Sequence, residues 1–185
     1  MRPEANADER ELLFRRLATP VMKYWVCKRG PHHAFEALEC LGGNGYVETF
    51  PLARRYREQP VLSIWEGSGN VVCLDVIRSL RVPQALDAFL AELHEAAGDD
   101  TRFDMFVRDL EAELRGGDDL EPLARRLTER MALALQASLL LRFAPTVVAD
   151  AFCAARLGDQ TSFEYGTLPR GVDTAAIIQR HIGHC

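Results

Sequence analysis

ECLGGNGYVETFPLARRYREQPVLSIWEGSGN, residues 39–70, decides how the chain folds. It holds two glycine clusters, Gly42-Gly43-Asn44-Gly45 and Gly67-Ser68-Gly69, each beside a helix end. Upstream, Leu13, Leu17, Val21 and Tyr24 recur at helical spacing, which predicts a helix over 8–29. Gly30-Pro31 is expected to stop it, and Pro20 to kink it by removing a backbone donor. A short helix over 32–41 then ends at Gly42-Gly43. Residues 42–62, with three glycines and two prolines, read as a loop with a short helix over 51–57. Cys73, Val76, Ile77 and Leu80 share one face of a helix over 70–80.

The rest of the chain has the same character. Pro83 suits the first position of a helix running to about Ala97, where a missing N–H costs nothing. Thr101 is placed to cap a helix to about Leu114, closed by Gly116-Gly117. Asp118 or Asp119 is placed to cap a long helix over 120–157, bent at Ala144-Pro145. A loop over 158–172 leads to a last helix over 173–182. No segment alternates like a strand, so the fold class is all-α, a helical bundle with extra C-terminal helices. The natural division falls near Pro83: 1–82 holds the unusual motifs, and 83–185 reads as plain amphipathic helix.

Composition narrows the class. The chain has 185 residues, 48% hydrophobic and 26% charged, which fits a globular protein and excludes a disordered one. Residues 1–80 carry 11 Lys/Arg and 10 Asp/Glu, while 81–185 carry 11 Arg and 17 Asp/Glu, a net of −6. That sign disfavours direct DNA binding through the second half. The five cysteines form no CxxC pair, which argues against a disulfide framework or a structural zinc and for a reducing compartment. The polar start is no secretory signal, and the apolar run 131–141 is too short to cross a bilayer. The expectation is a cytoplasmic protein.

The chemistry concentrates in the quoted stretch. A glycine turn leading into a helix presents backbone amides to an anion, although glycines stand before helices for structural reasons as well. Glu66 follows Ile64 and Trp65 and precedes Gly67. Apolar neighbours desolvate a carboxylate and raise its pKa toward the range of a general base. Spacing alone equally allows a glutamate placed near a helix dipole.

Four segments resemble the C-terminal domain of acyl-CoA dehydrogenases, and among them the AidB-like branch associated with the adaptive response to DNA alkylation. They are RLATPVMKYWVCKR (16–29), ECLGGNGYVE (39–48), RRYREQPV (54–61) and SIWEGSGNVVCLDVIRSL (63–80). Residues 81–185 resemble the branch's C-terminal helices more loosely. The resemblance implies FAD as cofactor, an acyl-CoA as substrate and Glu66 as the base that removes the α-proton. A Gln-x-x-Gly-Gly segment of the family contacts FAD bound mainly by the neighbouring subunit. The matching positions here are Glu39, Gly42 and Gly43, and an ionised Glu39 cannot donate as the glutamine does. Gly67 follows the base. Ser68 keeps the hydroxyl that meets the flavin side, Trp65 matches an aromatic wall of the site, and Asn70 sits where a polar residue faces the cofactor.

The family places a helical domain and a flavin-holding β-domain upstream of these motifs. The chain is therefore expected to be the incomplete C-terminal part of such an enzyme, inactive alone, with FAD weak or absent. Expected partners are the missing flavin-binding domains or further copies, as a dimer or tetramer. Two other functions compete: a nucleic-acid-associated role in alkylation protection, and a non-catalytic oligomerisation domain. No metal site is expected. Adjacent His32-His33 point apart on a helix, and His181, His184 and Cys185 sit at the terminus. Arg54, Arg55 and Arg57 read either as a salt-bridged surface patch or as a phosphate contact.

Overall fold

The computed structural model describes residues 9–117, 119–159, 161–162 and 164–182, and among them there are helices and no strand. The helices are α1 (Glu9–Glu39), α2 (Gly43–Tyr46), α3 (Pro51–Leu62), α4 (Gly69–Leu80) and α5 (Pro83–His94). They continue with α6 (Thr101–Gly116), α7 (Ala124–Phe143), α8 (Thr146–Arg156) and α9 (Thr174–Ile182). Two compact units divide the described residues. One takes those up to Phe89 together with those from 119 to Ala132; the other takes Leu90–Gly117 and those from Leu133 onward.

In the first unit, α1 packs against α2, α3 and α4. Its buried stripe is Leu17, Ala18, Val21 and Tyr24, a helical repeat that keeps one face inward. α4 answers with Val72, Cys73, Val76 and Ile77. Leu127, Thr128 and Met131 of α7 are fully buried, as is Phe89, whose ring stacks on Phe14 at 6.1 Å between centroids. Each such aliphatic or aromatic side chain contributes about 1.5–3 kcal/mol through burial.

α1 does not stop at Gly30-Pro31. It runs unbroken for 31 residues with both prolines inside it. Pro31 forfeits one intrahelical bond, but α3 lies against this part of α1 closely enough that a Cβ on Gly30 would meet Gln59 Oε1 at 2.6 Å. Packing on a neighbour outweighs a local breaker. The expected loop over 42–62 is largely helical for the same reason. α2 is anchored by Gly45, where a Cβ would fall 1.9 Å from the Leu38 carbonyl oxygen. α3 begins at Pro51, carries Pro60 in its last turn and ends at Leu62, five residues beyond the expected 57.

In the second unit α6 buries Phe103, Val107, Leu110 and Leu114 along one face. Its cap is Asp100, not Thr101: the Asp100 carboxylate accepts from the Arg102 and Phe103 amides. Arg102 closes the arrangement, donating to Asp100 and, at 2.7 Å, to Asp150 of α8. The Arg102 guanidinium holds the Asp100 carboxyl below the usual aspartate range. The long helix expected over 120–157 is two helices, broken where Pro145 lacks the N–H to continue α7 and caps α8 instead. A 3-10 turn, Glu121–Leu123, precedes α7, with Asp119 accepting from the Glu121 amide at 3.3 Å. The other expected cap, Asp118, lies outside the described residues.

Two outcomes follow for denaturation experiments. Gly45→Ala should cost about 3 kcal/mol, because the obstructing atom is backbone. Gly98→Ala, left-handed at φ +89 but facing open space, should cost only about 1 kcal/mol. The Asp100 cap is fully effective at neutral pH, since its folded pKa is depressed. It should be lost as the pH falls below about 4, and Arg102→Met should flatten that acid limb of the stability profile.

Candidate functional site

The turn between α3 and α4 is built from both ends. After Leu62, the Ser63 amide and hydroxyl both bond to the Pro60 carbonyl, and the Ile64 and Trp65 amides bond to Val61. The backbone then reverses through Glu66 (φ 57) and Gly67 (φ 113) before Ser68 starts α4 in extended conformation. Glu66 is the one non-glycine residue with positive φ among those described. For a glutamate this costs on the order of 1–3 kcal/mol, and such strain gathers at functional sites.

α1 and α7 hold the turn in place. Lys23 Nζ donates to the Trp65 carbonyl at 3.2 Å and to the Gly67 carbonyl at 2.7 Å. A Cβ on Gly69 would strike Lys28 Cε at 2.7 Å and approach Tyr24 at 3.4 Å, so α4 starts directly against α1. On the other side Arg125 Nε donates to Asn70 Oδ1 at 2.6 Å. Beneath α4, Cys73 shares hydrogen bonds with Tyr24 and Thr128, and Thr128 Oγ1 donates to the Ala124 carbonyl at 2.7 Å. Burial pushes both the Tyr24 hydroxyl and the Cys73 thiol up. The Cys153 thiol in the other unit is pushed up to about 11, again by burial. These two buried cysteines are packing residues, not nucleophiles.

Glu66 is exposed, and so are its neighbours Ile64 (65%) and Trp65 (58%). The apolar cover that the sequence suggested for Glu66 is thus not provided by these neighbours. Glu66 borders a cavity of about 300 Å³ with Thr19, Pro20, Lys23, Val71, Val72, Asp75 and Arg78. Gly67 and Ser68 lie beside it, and Ser68 makes no capping bond to α4, so its hydroxyl is available. Asn70, itself exposed, has its side-chain carbonyl oxygen engaged by Arg125.

Glu39, Gly42 and Gly43 form a separate group. Glu39 ends α1, its carbonyl accepts from the Gly42 amide at 2.9 Å, and Gly42 turns at φ 55. All three are exposed, and nothing lies within 4 Å of a Cβ placed on either glycine, so another molecule can approach this backbone. The group stands sixteen residues of helix beyond Lys23, roughly 24 Å. The quoted stretch therefore places these residues in two separate groups. Beside the second, Phe35, Leu38, Tyr46, Val47, Ala53 and Tyr56 line a largely apolar cavity of about 600 Å³, with Arg57 paired to Glu48 at its edge.

Arg54 and Arg55 pair with Glu58, so all three arginines, which the structure places on α3 and not in a loop, are in surface ion pairs. Among the described residues no group of three potential metal ligands occurs, and no helix is long and apolar enough to cross a membrane. His184 and Cys185 lie outside those residues. Sequence reasoning missed Lys23 and Arg125. No local signal marked Lys23, whose acceptors lie 42 and 44 residues away in the sequence.

Residues 4–81 match the family model described as acyl-CoA dehydrogenase, C-terminal domain. The chain is 43% identical over 155 residues to AidB of Escherichia coli (strain K12), an acyl-CoA dehydrogenase by name. That covers 83% of this chain and 28% of AidB. It is 43% identical over 73 residues to acyl-CoA dehydrogenase family member 11 of Caenorhabditis elegans, covering 40% of this chain and 12% of the relative. The chain thus spans under a third of these relatives. Among solved structures, the apo form of Bd2924 superposes with a TM-score of 0.64 at 27% identity, covering 76% of this chain and 27% of that one. Caenorhabditis elegans ACDH-11 in complex with C11-CoA superposes with a TM-score of 0.70 at 22% identity, covering 96% and 34%, a likeness of fold.

The strain at Glu66 has a measurable sign. Glu66→Gly should raise stability by about 1 kcal/mol in urea unfolding, whereas glycine at an unstrained exposed position lowers it. A loss of stability would mean that the left-handed turn is not imposed on Glu66 in solution.

Proposed function

Residues 4–81 belong to the acyl-CoA dehydrogenase C-terminal domain family, and on that premise we propose that the chain is the C-terminal part of an FAD-dependent acyl-CoA dehydrogenase-like oxidoreductase. In this reading Glu66 is the base. The observation that carries it is the backbone: the one strained non-glycine residue among those described is a carboxylate on an exposed, braced turn. A carboxylate there can meet a substrate laid over Ile64 and Trp65, and such a covering would desolvate it.

Glu66 then takes the α-proton of an acyl-CoA thioester, while the amide of Glu66 itself is available to the thioester carbonyl as enolate-like charge develops. FAD, when bound, supplies the acceptor for the β-hydride. The residues proposed to meet it fall into the two groups. Ser68 and Asn70, with Gly67 and the Trp65 ring, offer polar and flat contacts at the start of α4. Glu39, Gly42 and Gly43 offer an open backbone roughly 24 Å away along α1. That separation suits contact with two different cofactor molecules, one of them held mainly by a neighbouring subunit. An acyl-CoA substrate is supported by the C11-CoA bound to ACDH-11, whose fold is shared.

The aligned residues make up 28% of AidB, and in this reading most of the flavin site comes from segments outside these 185 residues or from other copies of the chain. A second reading, a role in alkylation protection, is favoured by the reach of the AidB match beyond the family domain, to 155 residues. The net of −6 over 81–185 weighs against direct DNA contact.

With flavin-binding domains present, Glu66→Gln should lower deuterium exchange at the α-carbon of a bound acyl-CoA by about 10²–10⁴-fold while flavin absorbance is retained. Undiminished exchange would remove Glu66 from the base role. The isolated chain should leave gel filtration without flavin absorbance after incubation with FAD, and a yellow protein peak would show the cofactor site to be complete within it.

A further inference from the structure

Two carbonyls bracket Glu66, those of Trp65 and Gly67, and both accept from one ammonium group, Lys23 Nζ, at 3.2 and 2.7 Å. The backbone does little else to fix this point. Before it, the Trp65 amide bonds to Val61; after it, the Val72 amide bonds to Ser68; between them no turn bond occurs among the described residues. A Cβ placed on Gly67 would meet the side chains of Val71 and Val72 at ordinary van der Waals distance, 3.5 Å. These carbonyls belong to the Trp65–Glu66 and Gly67–Ser68 peptides, so one ammonium pins both ends of the two-residue left-handed turn and limits how the Cα–Cβ bond of Glu66 can swing. We propose that Lys23 is a positioning residue: its ammonium holds the peptide before Glu66 and the one after Gly67, and so aims the Glu66 carboxylate.

The chemistry of the side chain suits the task. A lysine ammonium carries three donors and no acceptor, so one group can bridge two carbonyls and keep a donor for a third partner. Its charge strengthens both bonds, and the one to Gly67 is short at 2.7 Å. Lys23 is itself held: it projects from α1 beside Tyr24, which is buried against α4, so its origin is rigid. The ammonium also borders the same cavity as Glu66, with Thr19, Asp75 and Arg78. Without the bridge, Glu66 and Gly67 keep no backbone hydrogen bond of their own among the described residues, so relaxation of Glu66 from φ 57 toward the ordinary region is eased, which would swing the carboxylate off its present line.

The catalytic consequence rests on Glu66 being the base, and the test separates the two claims. In the 185-residue chain, ¹⁵N relaxation of Lys23→Met should show lower order at the Glu66 and Gly67 amides, with the α1 and α4 core amides unchanged. Lys23→Arg, which keeps charge and donors, should restore much of that order. In the flavin-loaded protein, Lys23→Met should lower kcat for α-proton exchange at least tenfold with KM little changed. Unchanged order at residues 66 and 67 would overturn the proposal, as would full exchange activity in Lys23→Met when Glu66→Gln abolishes it. If Glu66→Gln leaves exchange intact, the base reading falls and the relaxation result alone decides for or against Lys23. Should Lys23→Met fail to fold, Lys23→Gln is read at the same amides, with the same loosening expected.

Discussion

The continuity of α1 is the constraint on which the first unit depends. Two prolines sit inside it, and Pro31 cannot bond to the carbonyl four residues back. The helix persists because α3 and α4 lie along it and because Gly30 leaves room for Gln59. An unbroken α1 fixes the distance between the features it carries. Lys23, Tyr24 and Lys28 meet the start of α4, and Leu38 meets Gly45 about 15 Å further on. A helix ending at residue 29 would have left the second glycine cluster free to lie elsewhere.

The two contact zones of α1, at the start of α4 and around Gly45, differ in physical character. Around the start of α4 the contacts are polar and directional: an ammonium on two carbonyls, a guanidinium on an amide oxygen, and a buried thiol between two hydroxyls. Such contacts specify geometry more than they add stability, since each replaces a bond to water. Around Gly45 the contacts are apolar and steric, with Phe35 and Tyr56 tilted together at 6.1 Å. Rigid polar framing suits a reacting group, and an open apolar hollow suits a docked surface or ring. In this chain Glu66 is framed by Lys23 but uncovered.

The helical class was legible in the sequence because periodic apolar stripes, such as Leu17-Val21-Tyr24 and Cys73-Val76-Ile77, depend only on local spacing. The helix over 70–80 and the restart at Pro83 were legible for the same reason. The extents of α1 and α3 were not. Gly30-Pro31 and Pro60 are genuine local breakers, and only partners distant in sequence override them. The split at Pro145 read as a bend because a proline's effect depends on whether neighbours clamp both sides. At the site, Glu66 stood out by its motif, and its left-handed backbone strengthens that reading. Lys23 was invisible: a lysine in a helix is ordinary until the turn 42–44 residues away supplies its acceptors. Nor could spacing reveal that Glu39-Gly42-Gly43 and Glu66-Ser68-Asn70 stand apart, since both flank one continuous stretch of sequence.

The central claim is that a braced, left-handed Glu66 faces the carbon whose proton it removes. A crystal structure of the flavin-loaded protein with a bound, unreactive acyl-CoA analogue measures this directly. The account predicts a Glu66 carboxylate oxygen about 3–3.5 Å from the α-carbon, with φ of Glu66 still positive. A carboxylate turned into the cavity beside Lys23 and Arg78, with the α-carbon out of reach, would contradict it.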